Sequence, residues 1–282
     1  MTLSNPEAIA FVGPGVMAEA LASGLIQRAG IPPQQIILCG PRADRLAELA
    51  DRYGVRTAVD SRAGVVEAST VVLSVKPQTL DAVLKGLHGA IPTKALVLSI
   101  VAGARLADLK DGLAHPAIVR SMPNTPAQVG QGITVWTATP ETTPAQRDEA
   151  QRILASCGTE LFVENEDYLD MATALSGTGP AYVFLFMEAM VDAGVHLGFP
   201  RRIAEELVVQ TVLGSVAIYQ RSPLHFARLR NQVTSPGGTS AAALYYLEKA
   251  GFRTAISRAI WAAYERSIQL GQGRKRGSID GS

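Results

Sequence analysis

The sequence has few of the residues that build disulfide scaffolds and metal centres. Its 282 residues include only two cysteines, Cys39 and Cys157, and four scattered histidines. Two cysteines are too few for a disulfide framework, and no Cys/His cluster has the spacing of zinc ligands. We therefore predict neither a disulfide-stapled fold nor a bound metal.

Excess charge and long apolar runs are also missing. Lys and Arg number 26 against 25 Asp and Glu, a net charge of +1, which leaves no electrostatic footprint for nucleic acid or an anionic membrane. No apolar run approaches the ~20 residues of a membrane span, and no basic segment opens the chain as in a signal peptide. We expect a cytoplasmic protein with no nucleic-acid or membrane partner.

Apolar side chains are plentiful, at 47% of 282 residues, which is enough chain for two domains. In the first half, short apolar runs alternate with helical patterns. The strand candidates are residues 9–12, 36–38, 71–75, 96–100, 117–119, 133–136 and 160–163. Runs such as VVLSV and LVLSI are typical of strands buried on both faces of a parallel sheet. The alternation predicts a doubly wound α/β domain over residues 1–165.

The pattern changes at about Glu166, after which no strand pattern recurs. Gly, Pro and capping residues break the remainder into five or six helical segments. Residues 181–197 and 204–219 are apolar over much of their circumference, so both need more burial than one layer of helices supplies. We predict an all-α dimerisation domain over residues 166–272, a flexible tail at 273–282, and a homo-oligomer.

A glycine motif opens the first helix. Residues 13–18 (GPGVMA) follow the first strand and fit the G-x-G-x-x-G/A pattern of dinucleotide-binding Rossmann domains. The first glycine permits a tight turn, the second lets the backbone approach a pyrophosphate, and the small last residue allows close helix–sheet packing. The alternative is a plain strand–turn–helix loop. The cofactor-binding candidates here are Gly13, Gly15, Val16, Met17 and Ala18.

The end of the second strand indicates which dinucleotide binds. An acidic residue there binds the ribose 2′-hydroxyl of NAD, and a basic residue accepts the 2′-phosphate of NADP. No carboxylate sits at this strand end, Gly40 leaves space, and Arg42 and Arg45 follow. NADP is therefore favoured over NAD. The alternative is that both arginines are ordinary surface charges on the next helix.

Other candidates lie where ligands of such sheets bind, at the carboxyl edge. Val75, Lys76 and Pro77 end one long apolar run, and Ala102 follows the next and lacks bulk, as a backbone beside a nicotinamide requires. Lys76 can instead be a snorkelling lysine at the sheet edge. Asn124, in a loop with two prolines, either binds an amide of the ligand or belongs to a rigid structural turn.

A second glycine-rich loop precedes a predicted helix in the α-helical half. In residues 235–240 (SPGGTS), the N–H groups of Gly237, Gly238, Thr239 and Ser240 can converge on a carboxylate at the helix N-terminus. The alternative is a simple N-cap by Thr239 or Ser240.

Four segments together resemble one family, the pyrroline-5-carboxylate reductases. The most specific is residues 229–244 (LRNQVTSPGGTSAAAL), which is similar to that family's signature. Residues 75–78, 122–126 and 175–182 match in order and spacing, and the resemblance extends over residues 9–270. The combination with a dinucleotide fingerprint makes the resemblance specific.

The resemblance implies a reaction in which a hydride moves from NAD(P)H to the imine carbon of 1-pyrroline-5-carboxylate and gives L-proline. It implies that the strand-end residues and Ala102 lie along the cofactor and that Gln232 reaches the cofactor with its amide. The helices would interlock with a second subunit as a homodimer, and rings of five dimers occur in the family.

The resemblance also assigns the glycine-rich loop of the helical half to the substrate. The substrate-binding residues would be Ser235, Gly237, Gly238, Thr239 and Ser240. The hydroxyl of Ser240 would bond the ring nitrogen and assist its protonation, which makes Ser240 the catalytic candidate. The family usually has threonine at this position, so this chain keeps the hydroxyl but loses the methyl that fixes its rotamer.

Two other readings remain open from the sequence. A β-hydroxyacid dehydrogenase or another imine reductase would share the plan of a Rossmann domain followed by helices. The hydroxyacid enzymes rely on a lysine in the first helix after a Gly-rich turn, and residues 176–188 contain none. A non-enzymatic NADP sensor would not need a second small-molecule pocket, which the loop at residues 235–240 predicts.

Overall fold

The computed structural model describes residues 8–272, so the predicted flexible tail at 273–282 lies outside the described residues, as do residues 1–7. Eight strands form one sheet in the order β3-β2-β1-β4-β5-β6-β7-β8. All neighbours are parallel except β6 and β7. The strands are β1 (Ala8–Val12), β2 (Ile36–Cys39), β3 (Arg56–Ala58), β4 (Ala68–Leu73), β5 (Leu96–Ser99), β6 (Ile118–Met122), β7 (Gly132–Ala138) and β8 (Gly158–Phe162).

Twelve α-helices lie within residues 8–272, and the first six alternate with the strands. The helices are α1 (Val16–Gln27), α2 (Ala43–Tyr53), α3 (Ser61–Val65), α4 (Leu80–Leu87), α5 (Leu106–Leu113), α6 (Pro144–Ala155), α7 (Asp167–Ala172), α8 (Gly179–His196), α9 (Arg201–Gln220), α10 (Phe226–Gln232), α11 (Thr239–Lys249) and α12 (Phe252–Gly271). The predicted doubly wound fold is confirmed, and so is the prediction of five or six helices in the second half. The strand order reverses beside β1, which is where such sheets bind ligands.

The continuous apolar runs form strands with a core on each face. Along β1, Ile9 and Phe11 pack into one cluster and Ala10 and Val12 into the other, because successive side chains point to opposite faces. Helices therefore have to cover both sides of the sheet, which explains why these runs do not alternate with polar residues.

The sequence prediction differed from the structure at β3 and at the end of β4. β3 is three residues long and mostly exposed, so it carries no apolar signal. β4 ends at Leu73, two residues before the predicted end, because Ser74 turns its hydroxyl onto the carbonyl oxygens of Val12 and Gly13, at 3.0 and 2.9 Å.

The chain divides into two compact units. The first comprises the chain up to Thr178 together with the chain from Ala262, and the second comprises Gly179–Trp261. These divisions differ from the predicted domain boundary at residue 165. The reason is local: Leu169 on α7 is fully buried against Val135 of β7, so α7 packs with the sheet.

The second unit buries few of its apolar side chains. Its one buried apolar cluster is small and consists of Val191, Ala204 and Val208. Many large apolar side chains are exposed, among them Phe184, Leu185, Leu213, Ile218, Tyr246 and Trp261. A unit with so much apolar surface is typical of a subunit interface.

One continuous helical run departs from the sequence prediction about membrane spans. Asp167–His196 is 30 residues long and apolar enough to cross a membrane by length and composition alone, with 11% of its apolar window buried. A single helix of this length and composition is weak evidence for a membrane span, and the low burial of its apolar window identifies a largely uncovered apolar surface.

Candidate functional site

The turn after β1 requires glycine at its first position. Gly13 has a φ of +98°, and its N–H donates to the carbonyl oxygen of Cys39 at 2.9 Å. A Cβ added to Gly13 would lie 2.6 Å from Val75 Cγ1 and 2.9 Å from the carbonyl oxygen of Ser74. Gly13 therefore lets the ends of β1 and β4 approach each other, and it fixes the start of the loop.

Gly15 supplies the open part of this loop. It is the N-cap of α1, no side chain caps the helix, and nothing lies within 4 Å of where its Cβ would be. The first N–H groups of α1 have no partner within the helix, and the positive end of the helix dipole lies behind them. Val16 is exposed, Met17 is half-buried and Ala18 is fully buried against the sheet. The loop at residues 13–18, named the phosphate loop for its predicted ligand, therefore leads into a helix N-terminus of the kind that binds anions.

Gly40 has a different role from the predicted one. A Cβ at this position would lie 2.6 Å from Pro14 Cδ, and the Gly40 N–H donates to the carbonyl oxygen of Ala58 at 3.0 Å. The space beside Gly40 is thus filled by Pro14 and is not left open for a ligand. Gly40 thus lets Pro14 pack closely against the end of β2 and supports the phosphate loop.

The two arginines after β2 have different environments. The Arg45 guanidinium contacts Glu19 of α1 and lies 2.6 Å from Glu48. Arg42 is the exposed N-cap of α2, and within residues 8–272 its side chain has no ion-pair partner. The structure thus leaves Arg42 free for a ligand and pairs Arg45 with two carboxylates, whereas the sequence analysis treated the two arginines alike.

Glu19 is the centre of this ion-pair cluster. Its carboxylate also pairs with Arg52 at 2.6 Å and accepts the hydroxyl of Tyr53 at 2.9 Å. Burial raises the pKa of Glu19, but the hydrogen bonds from Tyr53 and Arg45 and the charges of Arg45 and Arg52 lower it further, to below its ordinary value. Glu19 is therefore ionised at neutral pH and holds the arginines of α2 against α1.

The strand-end residues after β4 lie beside the phosphate loop. Val75 is the side chain that a Cβ on Gly13 would meet. Lys76 is exposed, and Pro77 begins a short helical turn, Pro77–Thr79. No ion pair involves Lys76 within the described residues, so both the ligand-binding and the snorkelling interpretation remain open.

The loop after β5 is covered by the last turn of α12. Gly103 has a φ of +76°, and its Cβ would lie 2.8 Å from the Gly271 nitrogen. A Cβ on Gly271 would lie 2.6 Å from the Gly103 carbonyl oxygen. Two glycines thus allow backbone to pack on backbone, beside the half-buried Ala102. No sequence pattern indicated that Gly271 packs on this loop.

Asn124 belongs to a structural turn. Its Nδ2 donates to the Ser176 carbonyl oxygen at 3.2 Å and its Oδ1 accepts the Ile133 N–H at 3.0 Å. Its side chain has both a donor and an acceptor engaged and is buried. Of the two interpretations that the sequence left open, the geometry favours the structural one.

The glycine-rich loop in the second unit forms a turn before α11. Gly237 has a φ of +71°, and the Gly238 N–H donates to the Ser235 carbonyl oxygen at 3.0 Å. The Gly238 N–H is therefore already hydrogen-bonded within the turn, contrary to the prediction that it points at a carboxylate. A Cβ on Gly238 would also lie 2.5 Å from Ser235 Oγ.

The N-terminus of α11 has free donors. Gly238 is the N-cap, and no side chain caps the helix, so the alternative of a cap by Thr239 or Ser240 does not hold. The N–H groups of Thr239 and Ser240 have no partner within the helix because they lie in its first turn. Ser240 is partly buried, and Gln232, the last residue of α10, is exposed.

Neither cysteine is a nucleophile at neutral pH. Burial, and secondarily the charge of Asp60, raises the pKa of the Cys39 thiol to about 12. Burial likewise raises the pKa of Cys157. A reactive cysteine needs a lowered pKa and exposure, so the candidate chemistry rests on backbone donors, hydroxyls and a bound cofactor.

Sequence reasoning missed a buried charge network in the first unit. Arg120 on β6 pairs with Glu166 and Asp170, and Asp170 accepts the hydroxyl of Ser267 on α12. Only Glu166 was noticed in the sequence, as the start of the helical half. An arginine within an apolar strand was the available signal, since such a residue needs a partner.

Two family models match the chain. The one described as "Pyrroline-5-carboxylate reductase dimerisation" matches residues 166–270, and the one described as "NADP oxidoreductase coenzyme F420-dependent" matches residues 8–103.

Full-length relatives match as well. The chain is 42% identical to a pyrroline-5-carboxylate reductase of Synechocystis over 94% of this chain and 98% of that protein. The solved structure of the enzyme from Coxiella burnetii superimposes with a TM-score of 0.85 at 36% identity, covering 94% of this chain and 99% of that one. The Plasmodium falciparum enzyme, solved with NADP bound, gives 0.87 at 31% identity, covering 94% and 98%.

Proposed function

The chain belongs to the pyrroline-5-carboxylate reductase family, and we propose that it reduces 1-pyrroline-5-carboxylate to L-proline with NADPH, the last step of proline biosynthesis. The observation that carries the proposal is the full-length similarity of 42% identity over 94% of the chain. Two uncapped helix N-termini support it, one at α1 for a pyrophosphate and one at α11 for a carboxylate.

Cofactor binding is proposed for the first unit. The N–H groups of Val16 and Met17 would hold the pyrophosphate, with Gly13, Gly15 and Ala18 shaping the loop, since the Gly15 N–H already donates to the Gly13 carbonyl oxygen at 2.8 Å. The remaining contacts proposed along the cofactor come from Val75, Lys76, Pro77 and Ala102, with the Gln232 amide reaching it from α10. NADPH, when bound, supplies the hydride that adds to the imine carbon.

A preference for NADPH over NADH is part of the proposal. No carboxylate sits at the end of β2 to meet a ribose hydroxyl, and the free guanidinium of Arg42 lies at the N-terminus of α2. Arg42 and the first N–H groups of α2 would together hold the 2′-phosphate. The bound NADP of the Plasmodium falciparum relative supports this choice.

The loop before α11 is proposed to hold the substrate. The N–H groups of Gly237, Thr239 and Ser240 would bind the carboxylate, and Ser235 and Gly238 would hold the turn in shape. The Ser240 hydroxyl would hydrogen-bond the ring nitrogen, which carries a proton when the hydride arrives. A protonated cyclic imine is already electrophilic, so orienting it accounts for most of the catalysis.

We propose that the protein works as a homodimer in the cytoplasm, with a ring of five dimers as the larger assembly. The exposed apolar side chains of the second unit support a subunit interface. Cys39 and Cys157 are both free, which is the state that a reducing compartment maintains.

A turnover assay tests the function against its alternatives. With NADPH and 1-pyrroline-5-carboxylate, we expect L-proline as the product and much slower reduction of 1-pyrroline, which lacks the carboxylate. Equal rates with both imines would indicate an imine reductase of another substrate. Binding of NADPH with no turnover would indicate a sensor and would refute the proposal.

A further inference from the structure

Arg120 is a buried cation that the proposed reaction does not use. Its guanidinium donates to Glu166 Oε1 at 2.8 Å and to Asp170 Oδ1 at 2.9 Å. The side chains of Arg120 and Asp170 are only 3% and 5% exposed. Burying charges costs free energy that their mutual attraction only partly returns, so a buried ion pair is weak evidence for a role in stability. The role of this network therefore depends on the other groups that the carboxylates of Glu166 and Asp170 bind.

Glu166 holds the end of the loop that follows β5. Besides Arg120, its Oε1 accepts the backbone N–H of Leu106 at 2.8 Å. Leu106 is the first residue of α5, and the N-cap Arg105 makes no side-chain cap. Glu166 thus caps α5 from a distant part of the chain and fixes the point where the loop at residues 101–105 enters the helix.

Asp170 holds the helical turn that presses on the middle of the same loop. Its Oδ1 accepts the hydroxyl of Ser267 at 2.7 Å, and Ser267 is 1% exposed. One turn further along α12, Gly271 packs backbone to backbone on Gly103. The carboxylate therefore sets where the last turn of α12 lies against the loop.

We infer that Arg120 is a positioning residue for the loop at residues 101–105, which in the proposed function faces the nicotinamide through Ala102. Its guanidinium orients two carboxylates, of which one fixes the end of the loop and the other fixes the turn that covers its middle. Arg105, which belongs to the loop itself, also pairs with Asp170, at 3.7 Å from Oδ2. The inference rests on the proposed function. The phosphate loop at α1, which is proposed to hold the cofactor, makes none of these contacts, so we expect the network to act on alignment for hydride transfer and not on binding.

Ser267→Ala is the sharpest test because it removes one hydroxyl and leaves both charges paired. Ser156→Ala is the matched control, since Ser156 is also buried in the first unit and donates to the carbonyl oxygen of Ile153 at 2.6 Å. Each variant loses one buried hydrogen bond, so both should lower the melting temperature, and Ser267→Ala should lower it more because its bond to the Asp170 carboxylate is charge-assisted. Only Ser267→Ala should act on the loop.

Four measurements on the full chain separate positioning from stability. For Ser267→Ala we expect faster amide hydrogen exchange in residues 101–106, changed fluorescence of bound NADPH, a kcat about 10-fold lower and a larger isotope effect with NADPH deuterated at the transferred position. The NADPH Kd should stay within about 2-fold. Ser156→Ala should leave all of these unchanged.

Glu166→Ala and Glu166→Gln test the other carboxylate. Glutamine keeps an oxygen for the Leu106 N–H, so we expect it to restore much of the kcat and of the exchange protection that alanine loses.

Two results would overturn the inference: unchanged exchange in residues 101–106 of Ser267→Ala, or faster exchange with unchanged kcat and unchanged NADPH fluorescence. A wild-type protein that binds NADPH but does not reduce 1-pyrroline-5-carboxylate would refute the proposed function instead. The exchange and NADPH fluorescence measurements would then decide the positioning role alone.

Discussion

The two compact units solve the same problem, the burial of apolar side chains, in opposite ways. In the first unit both faces of an eight-stranded sheet are covered by its own helices, and residues such as Phe11 and Leu98 are inaccessible to water. In the second unit the one buried apolar cluster consists of three side chains, while Phe184 and Leu213 are mostly exposed. The first unit completes its core within one chain, and the second needs another surface to complete it.

The largest expected effect comes from a charge on the second unit. Val209→Asp should raise the dimer Kd at least about 100-fold, because an unpaired charge buried in an interface costs about 3 kcal/mol or more. Val129→Asp is the matched control, since Val129 is exposed in the first unit. Analytical ultracentrifugation measures both, and equal association of the two variants would contradict the contrast between the units.

Removing the Ser240 hydroxyl tests the catalytic role proposed for the second unit. Ser240→Ala should lower kcat/KM by about 10- to 200-fold, as expected for one hydrogen bond formed in the transition state. Ser240→Thr should match or exceed the wild type because the hydroxyl is kept and its rotamer is better fixed. Thermal melts should first establish that each variant is folded. Wild-type rates for Ser240→Ala would mean that the hydroxyl takes no part in the reaction.

Substitutions of Arg42 and Arg45 should change the KM for NADPH by different amounts, because the two side chains have different partners. Arg42→Ala should raise the KM for NADPH about 10-fold, since it removes a charge-assisted contact to the 2′-phosphate. Arg45→Ala should change it less than about 3-fold because Glu19 and Glu48 occupy that guanidinium. The KM for NADH should not move in either variant. A larger loss for Arg45→Ala would show that the ion pairs open when the cofactor binds.

The smallest effects distinguish open from packed glycines in the first unit. Gly15→Ala meets no atom within 4 Å, so it should leave the melting temperature unchanged and weaken NADPH binding. Gly40→Ala would collide with Pro14 and should cost about 1–3 kcal/mol of stability. Calorimetry and NADPH titration measure the two effects. The reverse pattern would contradict the assignment of Gly15 to the pyrophosphate.

The sequence predicted features that depend on neighbours along the chain. The strands with both faces buried, the turn at Gly13 and the uncapped start of α1 all leave a local signature of apolar runs and small residues. β3 did not, because its three residues are mostly exposed. The predicted role of Ser240 stays a prediction, since its partner would be a substrate.

Features that depend on distant residues could not be predicted. The sequence predicted open space beside Gly40, but Pro14 occupies that space. The sequence also predicted an unpaired Arg45, but Glu19 from another helix forms an ion pair with it. Gly103 and Gly271 are far apart in sequence but require each other. In each case the contacting residue lies on a different helix or loop, and no sequence pattern predicts where that helix or loop packs.

The contact between α12 and the loop after β5 has a consequence for protein synthesis. The first unit is discontinuous, because the chain from Ala262 onward returns to it after the whole second unit has been made. A nascent chain that ends before Ser267 leaves Asp170 without its hydroxyl donor and Gly103 without its cover. Domains otherwise tend to fold in order as they leave the ribosome. Here the part that emerges first is completed last, so we expect ribosome-stalled chains truncated before residue 262 to remain protease-sensitive at residues 101–106.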